Sequence, residues 1–460
     1  MATLQVMPPP TICVPDDRPS IPLEEYDQRL CSAVDAMKGL GLDVLVVYGD
    51  REHFATLAFL CGFDPRFEEA LLLLDTRGKR RLLVGNECLA YVPDEALGIE
   101  TVLYQDFSLV GQPRDRSSSL RRLLTDFGLA LGARVGCAGW KYLSEGLVDD
   151  AETAIEIPAF IVDLLRDLVG AREGVVNANA IFIDSQNGLR TTSSASQIAQ
   201  FEYAAALSSC SVGRALKSLA VGVRERDLET RLENRGIPLS CHTVISFGDK
   251  VRRGPVSPSD RRAVIGDAFV VAFGLQGSLT CRGGAVATGP QDLGRELRHF
   301  FPGFICNYFD VVATWYECVG VGSIAGEVFD RVDRVRDASL FAFALNPGHY
   351  SHLDEWVQSP FRAGDTTVLR SGMVLQTDII PVSAGPFCYV NIEDTVAIAD
   401  ESLRSALQRD YPNVWSRIDQ RRDYLHQRLG IDLPESVLPL SNTPAWHSPY
   451  ALSPELALTR

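Results

Sequence analysis

Ser371-Gly372-Met373-Val374-Leu375-Gln376-Thr377 and, further along, Ile392-Glu393-Asp394-Thr395-Val396 are the two stretches on which the fold turns. Both read as strands, over 373–380 and 387–398, and together they close a domain. Upstream lies a helical stretch at about 328–341. Before it come three further strands at 243–247, 268–273 and 278–281. Earlier still are a short helix at 225–233 and a long one beginning near Ser194. Ser194 and Ser196 are its candidate N-caps, and 198–219 is Ala-rich with helical periodicity. Helices segregated from an antiparallel sheet predict an α+β domain.

The N-terminal part has a different rhythm. Leu23, Tyr26, Leu30, Val34 and Met37 recur at helical spacing, and Asp43-Val44-Leu45-Val46-Val47-Tyr48 reads as a buried strand. Strands at 70–74 and 81–84 flank the turn Arg77-Gly78-Lys79. A strand at 101–104, a helix at 118–127 and a strand at Arg134-Val135-Gly136 follow. This predicts an α/β domain. The expected layout is an irregular arm at 1–21, an N-terminal domain at 22–188, a second domain at 189–430 and a C-terminal tail at 431–460. The last helix is expected at 416–429.

Bulk properties exclude several function classes. The net charge is −15 and the isoelectric point is near 5.0, with no long basic run. A phosphate-tracking surface needs a basic patch, so nucleic acid is not an expected partner. No apolar run reaches the ~18 residues of a membrane span. The first twenty residues hold Pro8-Pro9-Pro10 and lack the apolar centre of a signal peptide. Eleven scattered cysteines, none spaced Cys-x-x-Cys, predict reduced thiols and a cytoplasmic protein.

Five phrases, in order, resemble the creatinase/Xaa-Pro aminopeptidase (M24) family, whose C-terminal domain is the pita-bread fold. Leu189-Arg190 with Ser196-Gln197-Ile198 resembles the opening of that domain. Ile265-Gly266-Asp267-Ala268-Phe269-Val270-Val271 resembles the strand leading to the first metal aspartate. Gly348-His349, with Leu353 and Pro360 beyond, resembles the Gly-His loop. The two stretches quoted first resemble the strands carrying the two metal glutamates. The resemblance covers roughly residues 22–400. It implies an α/β creatinase-like N-terminal domain followed by an α+β pita-bread domain, a homodimer, and a small-molecule substrate.

In the peptidase members two Asp, one His and two Glu hold two divalent ions that generate a hydroxide nucleophile. Carried over residue by residue, the two Asp positions fall on Ala272 and Gly283, which offer no ligand. The His position falls on His349, the first Glu position on Asp378 and the last on Glu393. Trp356 stands where the family often has a second His. The resemblance therefore implies a divergent member lacking several metal ligands. No cofactor is expected, with a single divalent ion on His349, Asp378 and Glu393 as the alternative. A self-satisfied polar core is the bland reading of these three residues.

The expected activity is hydrolysis of a C–N bond (amide, amidino or peptide-like) in a small polar substrate, without the metal pair. His349 is the candidate proton shuttle, and Asp378 and Glu393 would orient it or hold a cationic group. Around His349 the loop packs His352, Asp354, Glu355 and Trp356 together, all candidates for acid/base, ligand or substrate contact, against an exposed acidic loop as the plainer reading. Arg282 would hold a substrate carboxylate, or pair with Asp378 or Glu393 and plug the site. Cys281 reads as a buried structural thiol. Creatinase places its catalytic His near Arg253-Gly254-Pro255. No His stands there, and His242 is the nearest upstream. Arg66 is a candidate for reaching a partner subunit's pocket, or a surface turn arginine. The alternatives are a non-catalytic pita-bread protein binding a small molecule or a protein, and a conventional Xaa-Pro aminopeptidase or dipeptidase.

Overall fold

The computed structural model describes residues 1–460. The chain divides into two units, Ile21–Arg190, and Met1–Ser20 together with Thr191–Arg460. No helix is long and apolar enough to cross a membrane.

In the first unit, six strands form one mixed sheet. Their spatial order is Glu100–Leu103, Arg80–Val84, Ala70–Asp75, Val44–Gly49, Val135–Ala138 and Val175–Asn177. Val44–Gly49 and Ala70–Asp75 are buried along their whole length. That explains why both read as continuous apolar runs rather than as alternating ones. Helices Leu23–Gly39, Leu120–Phe127 and Ala159–Val169 belong to the same unit. The last of these had no counterpart in the sequence reading.

The second unit is built on two four-stranded antiparallel sheets. One orders Asn391–Glu393, Ser278–Ala285, Ala268–Leu275 and Val244–Phe247. The other orders His349–Tyr350, Val374–Gln376, Thr395–Ile398 and Val437–Pro439. A single chain segment runs from the first sheet to the second, with Asp394 as the elbow between Glu393 and Thr395. The Thr377 amide donates to the Asp394 carbonyl at 3.0 Å, which ties the two quoted stretches together at this corner.

Two long helices belong to this unit. Ala195–Lys217 is capped as expected: the Ser194 hydroxyl accepts from the Gln197 amide at 3.1 Å. Arg295–Cys318 was not anticipated. It carries Pro302 inside and is rich in aromatic and β-branched residues, so neither propensity nor a polar face announces it. Its buried Phe304, Tyr308, Val312, Trp315 and Tyr316 form much of the main core. The helix expected at 328–341 is Ala325–Val335, and Phe341 begins a strand instead.

Both chain ends correct the expected layout. Thr3–Val6 is not part of an irregular arm but a strand paired antiparallel with Leu456–Thr459. Residues 431–460 are not a separate tail: Val437–Pro439 completes the second sheet, and Trp446 and Tyr450 are buried in the main core.

Candidate functional site

The site lies at the corner where the two sheets meet. His349 pairs with Gln376 across the second sheet, Asp378 follows the same neighbouring strand, and Glu393 ends the edge strand of the first sheet. One ligand-type atom from each of these three buried side chains lies within 4.8 Å of the others. Gly348 lets the chain make this approach. Its φ is +102°, and a Cβ there would stand 2.9 Å from Trp315 Nε1 and 3.0 Å from the Gln376 carbonyl. The Gly348 amide donates to the Asp378 carbonyl at 2.8 Å, fixing the histidine loop to the acid's strand.

The imidazole is held in one orientation. Nδ1 lies 3.1 Å from the Tyr350 carbonyl, which can only accept, so the Nδ1 proton is donated there and Nε2 is left for the site. Nε2 lies 3.1 Å from Glu355 Oε1, and 3.9 Å from both Asp378 Oδ2 and Glu393 Oε1. The Glu355 approach is a close ion pair rather than an aligned hydrogen bond. Trp356 stacks on the ring with centroids 4.1 Å apart. The loop folds back because Tyr350 and Gln358 bridge, with the Tyr350 amide donating to the Gln358 carbonyl at 2.7 Å.

Three carboxylates around one imidazole set the protonation. Burial opposes the imidazolium, but Glu355, then Glu393 and Asp378, outweigh it and raise His349 well above its ordinary value. Burial lifts Asp378 to about 6, against the pull of His349. Burial, followed by the charge of Asp378, also lifts Glu393 well above the usual carboxylate range. The result is a protonated imidazole beside two buried acids that hold a proton more readily than free carboxyls do.

A cavity of about 780 Å³ lies against the acids, with His349 fully buried behind them and not itself on the wall. Glu355, Trp356, Asp378 and Glu393 line it, with Ala272, Cys281 and Tyr389 on the first sheet's side. Register explains the arrangement. Glu393, Cys281, Ala272 and Val244 stand side by side across four strands, so they share one face.

Arg282, next to Cys281, must therefore point the other way. Its guanidinium meets Asp394 at 2.8 and 3.0 Å and donates to the carbonyls of Glu393, Trp446 and Thr443. It is fully buried and does not line the cavity, so neither the carboxylate-holding role nor the plug against Asp378 or Glu393 is what the fold builds. His352 is likewise buried, edge-on to Phe201, and is not a lining residue. Asp354 is half-buried and also off the cavity wall. Arg66 belongs to the other unit, on a left-handed turn residue, with its amide donating to Asp64.

The cavity also recruits residues that the sequence reading had given no role. His242, Cys241 and Arg252 line it. The Arg252 guanidinium lies over the Phe387 ring at 3.7 Å. Burial, with Glu355 and Glu393 nearby, pushes the Cys241 thiol up to about 12, and burial with Glu393 and Asp378 pushes Cys281 well above the ordinary value. Neither thiol is a ready nucleophile.

A two-ion centre like that of the peptidase members does not fit these residues. Ala272 offers no donor. At Gly283, a Cβ would stand 2.5 Å from Cδ1 and Cε1 of Tyr389, so an aromatic ring fills the space a side chain at that position would need. His349, Asp378 and Glu393 remain as donors that fit one ion.

A six-stranded N-terminal sheet, followed by a two-sheet domain with an acid and imidazole site at the sheet corner, defines a creatinase-like domain joined to a pita-bread domain. This is the fold of prolidases and Xaa-Pro peptidases. The chain is similar to the prolidase from Pyrococcus horikoshii OT3, at 16% identity and a TM-score of 0.60, over 81% of this chain and 95% of that one. It is also similar to the dipeptidase PepE from Mycobacterium ulcerans, at 19% identity and a TM-score of 0.61, over 82% and 94%. A third similar structure is the X-Pro aminopeptidase from Thermotoga maritima MSB8, at 13% identity and a TM-score of 0.58, over 82% and 95%. No protein-family model matches the sequence, and no curated protein sequence matches it.

Proposed function

We propose that this protein is a hydrolase of a C–N bond in a small substrate, working by acid/base chemistry without the paired metal ions. The observation that carries the reading is the orientation of His349: Nδ1 is committed to the Tyr350 carbonyl, and Nε2 faces Glu355, Asp378 and Glu393 beside an open cavity. In this scheme water attacks the carbon of the C–N bond. Glu393 or Asp378 takes the water proton, and the His349 imidazolium passes its proton by way of Glu355, which lines the cavity, to the departing nitrogen. The neighbouring carboxylates keep the imidazole charged until that step and Trp356 keeps its plane fixed. A homodimer in which Arg66 completes a partner's pocket is part of this proposal.

A second reading is favoured by the three converging donors. His349, Asp378 and Glu393 would hold a single divalent ion, which when bound would acidify a water molecule or polarise a carbonyl.

The test is turnover of a panel of amides, amidines and Xaa-Pro dipeptides by chelator-treated protein. Chelator-resistant activity is expected, abolished in His349→Ala and lowered on the order of a hundredfold in Glu393→Gln. Two tightly bound equivalents of metal, or activity only after manganese is added, would sink the metal-free scheme.

A further inference from the structure

We infer that a second, smaller cavity beyond Tyr389 is a distal subsite of the main one, fitted to an apolar group of the ligand and closed off by a gate of Arg252 on Phe387. The inference rests on the reading of the main cavity as the substrate site. It adds the class of group that the ligand carries at its far end.

The two cavities share one floor. Ala272, Val270 and Ala268 alternate along one strand of the first sheet, and they pair with Cys281, Gly283 and Ala285 on the next, so all six stand on the same face. The main cavity lies over Ala272, Cys281 and Val270. A cavity of about 230 Å³ lies over Ala268 and Ala285. Between them is Gly283, covered by the Tyr389 ring. At ~3.3 Å per residue, Ala272 and Ala268 are about 13 Å apart along the strand. The sheet face therefore carries a single trench with a bar across it.

The bar is made of four residues that border both cavities: Arg252, Phe387, Cys388 and Tyr389. Three are consecutive in the chain. Arg252 comes from the segment that follows the strand Val244–Phe247. Its guanidinium carbon lies 3.7 Å from the centre of the Phe387 ring, and its Nε lies 3.4 Å from Asp249 Oδ1. About half of the arginine side chain stays in water, at 53% exposure. A cation resting on a ring at a wet site is weakly held, so rotation of this one side chain opens the bar.

The chamber beyond is suited to carbon. Leu293, Leu297 and Phe301 wall it above the two alanines. The charges on its lining pair off with one another. Arg261 meets both Asp267 oxygens at 3.2 Å, and Arg252 meets Asp249. A charged group entering the chamber would have to displace one of these partners, whereas an alkyl or aryl group would not.

Cys388 is the reporter, because it borders both cavities and is only 6% exposed. Burial pushes its thiol up to about 12, so slow alkylation is the starting point. The full chain is treated with iodoacetamide and the modified cysteines are mapped by peptide mass. Arg252→Ala should speed labelling of Cys388 on the order of tenfold, with the buried Cys61 and Cys137 unchanged. Phe387→Ala is a second route to the open bar and should act the same way. In the wild type, 1-octanol is long enough to cross the bar and should protect Cys388, while 1-butanol at equal concentration should not. Ala268→Leu fills the chamber and should abolish the octanol protection. Should that variant fail to fold, Leu297→Trp fills the chamber from the helix side. Labelling of Cys388 that neither Arg252→Ala nor Phe387→Ala changes would overturn the gate. Octanol protection that survives filling of the chamber would overturn the subsite. The readout needs no turnover. Protection lost on filling, in a protein that turns over no C–N substrate, would support the inference while removing the hydrolase reading. Turnover with no octanol protection would do the reverse.

Discussion

The ring of Tyr389 occupies the space that a side chain at Gly283 would need, with two ring carbons 2.5 Å from the Cβ position. Gly283→Asp should therefore destabilise the protein by about 1–3 kcal/mol, because two rigid ring carbons rather than a flexible chain end stand in its way. Combining it with Tyr389→Ala should recover much of that loss. Urea unfolding midpoints of the single and double variants measure both effects. A fully stable Gly283→Asp would show that the ring is not fixed there.

Arg282 and Asp394 make a pair with both partners buried. Removing one partner leaves an uncompensated charge, so Arg282→Met or Asp394→Asn should cost about 3–5 kcal/mol. Thermal or chemical denaturation reads this directly. A stable Arg282→Met protein that had lost ligand binding would return the arginine to the substrate site.

Tyr308 links the two acid-bearing strands. Its hydroxyl donates to the Ile379 carbonyl at 2.8 Å and accepts from the Ile392 amide at 3.0 Å, one residue from Asp378 and one from Glu393. Tyr308→Phe would strand both backbone groups and should cost about 1–3 kcal/mol. If the hydrolase scheme holds, kcat should fall while KM changes little, since substrate is not touched. Unchanged stability together with unchanged kcat would refute the linking role.

His447 is buried and kept neutral: burial, and then the Arg282 charge, hold it well below its ordinary value of 6.5. The unfolded chain takes up that proton and the native one does not, so stability is lost as pH falls below about 6.5. The contribution should approach about 1.4 kcal/mol per pH unit. Comparing unfolding free energies between pH 7 and 5 for the wild type and His447→Phe isolates it. The variant should show the shallower loss, and parallel curves would contradict the assignment.

The sequence made His349, Asp378 and Glu393 legible because each sits in a short phrase whose neighbours define a strand or a tight turn. Glu355 and Trp356 were legible from the density of polar groups after Gly348. Arg252, Cys241 and Tyr389 were not, since only the pairing of distant strands brings them to the same wall. Arg282 adjoins a ligand position in sequence, yet strand neighbours point to opposite faces, and the register against Ile392 carries it into the core. The helix Arg295–Cys318 escaped because Pro302 and a largely buried circumference erase the periodicity that marks an amphipathic helix. Thr3–Val6 could not be read as a strand because its partner, Leu456–Thr459, lies at the far end of the chain.

The acceptors that surround the Arg282 guanidinium include the carbonyls of Thr443 and Trp446, more than a hundred and fifty residues after the arginine itself. During synthesis the hairpin bearing Arg282 emerges from the ribosome long before those groups exist. Its cation stays in water, and the corner behind the acids stays open, until translation has passed Trp446. Assembly of this corner therefore waits on groups more than a hundred and fifty residues downstream of the arginine, and termination before Trp446 leaves it unbuilt.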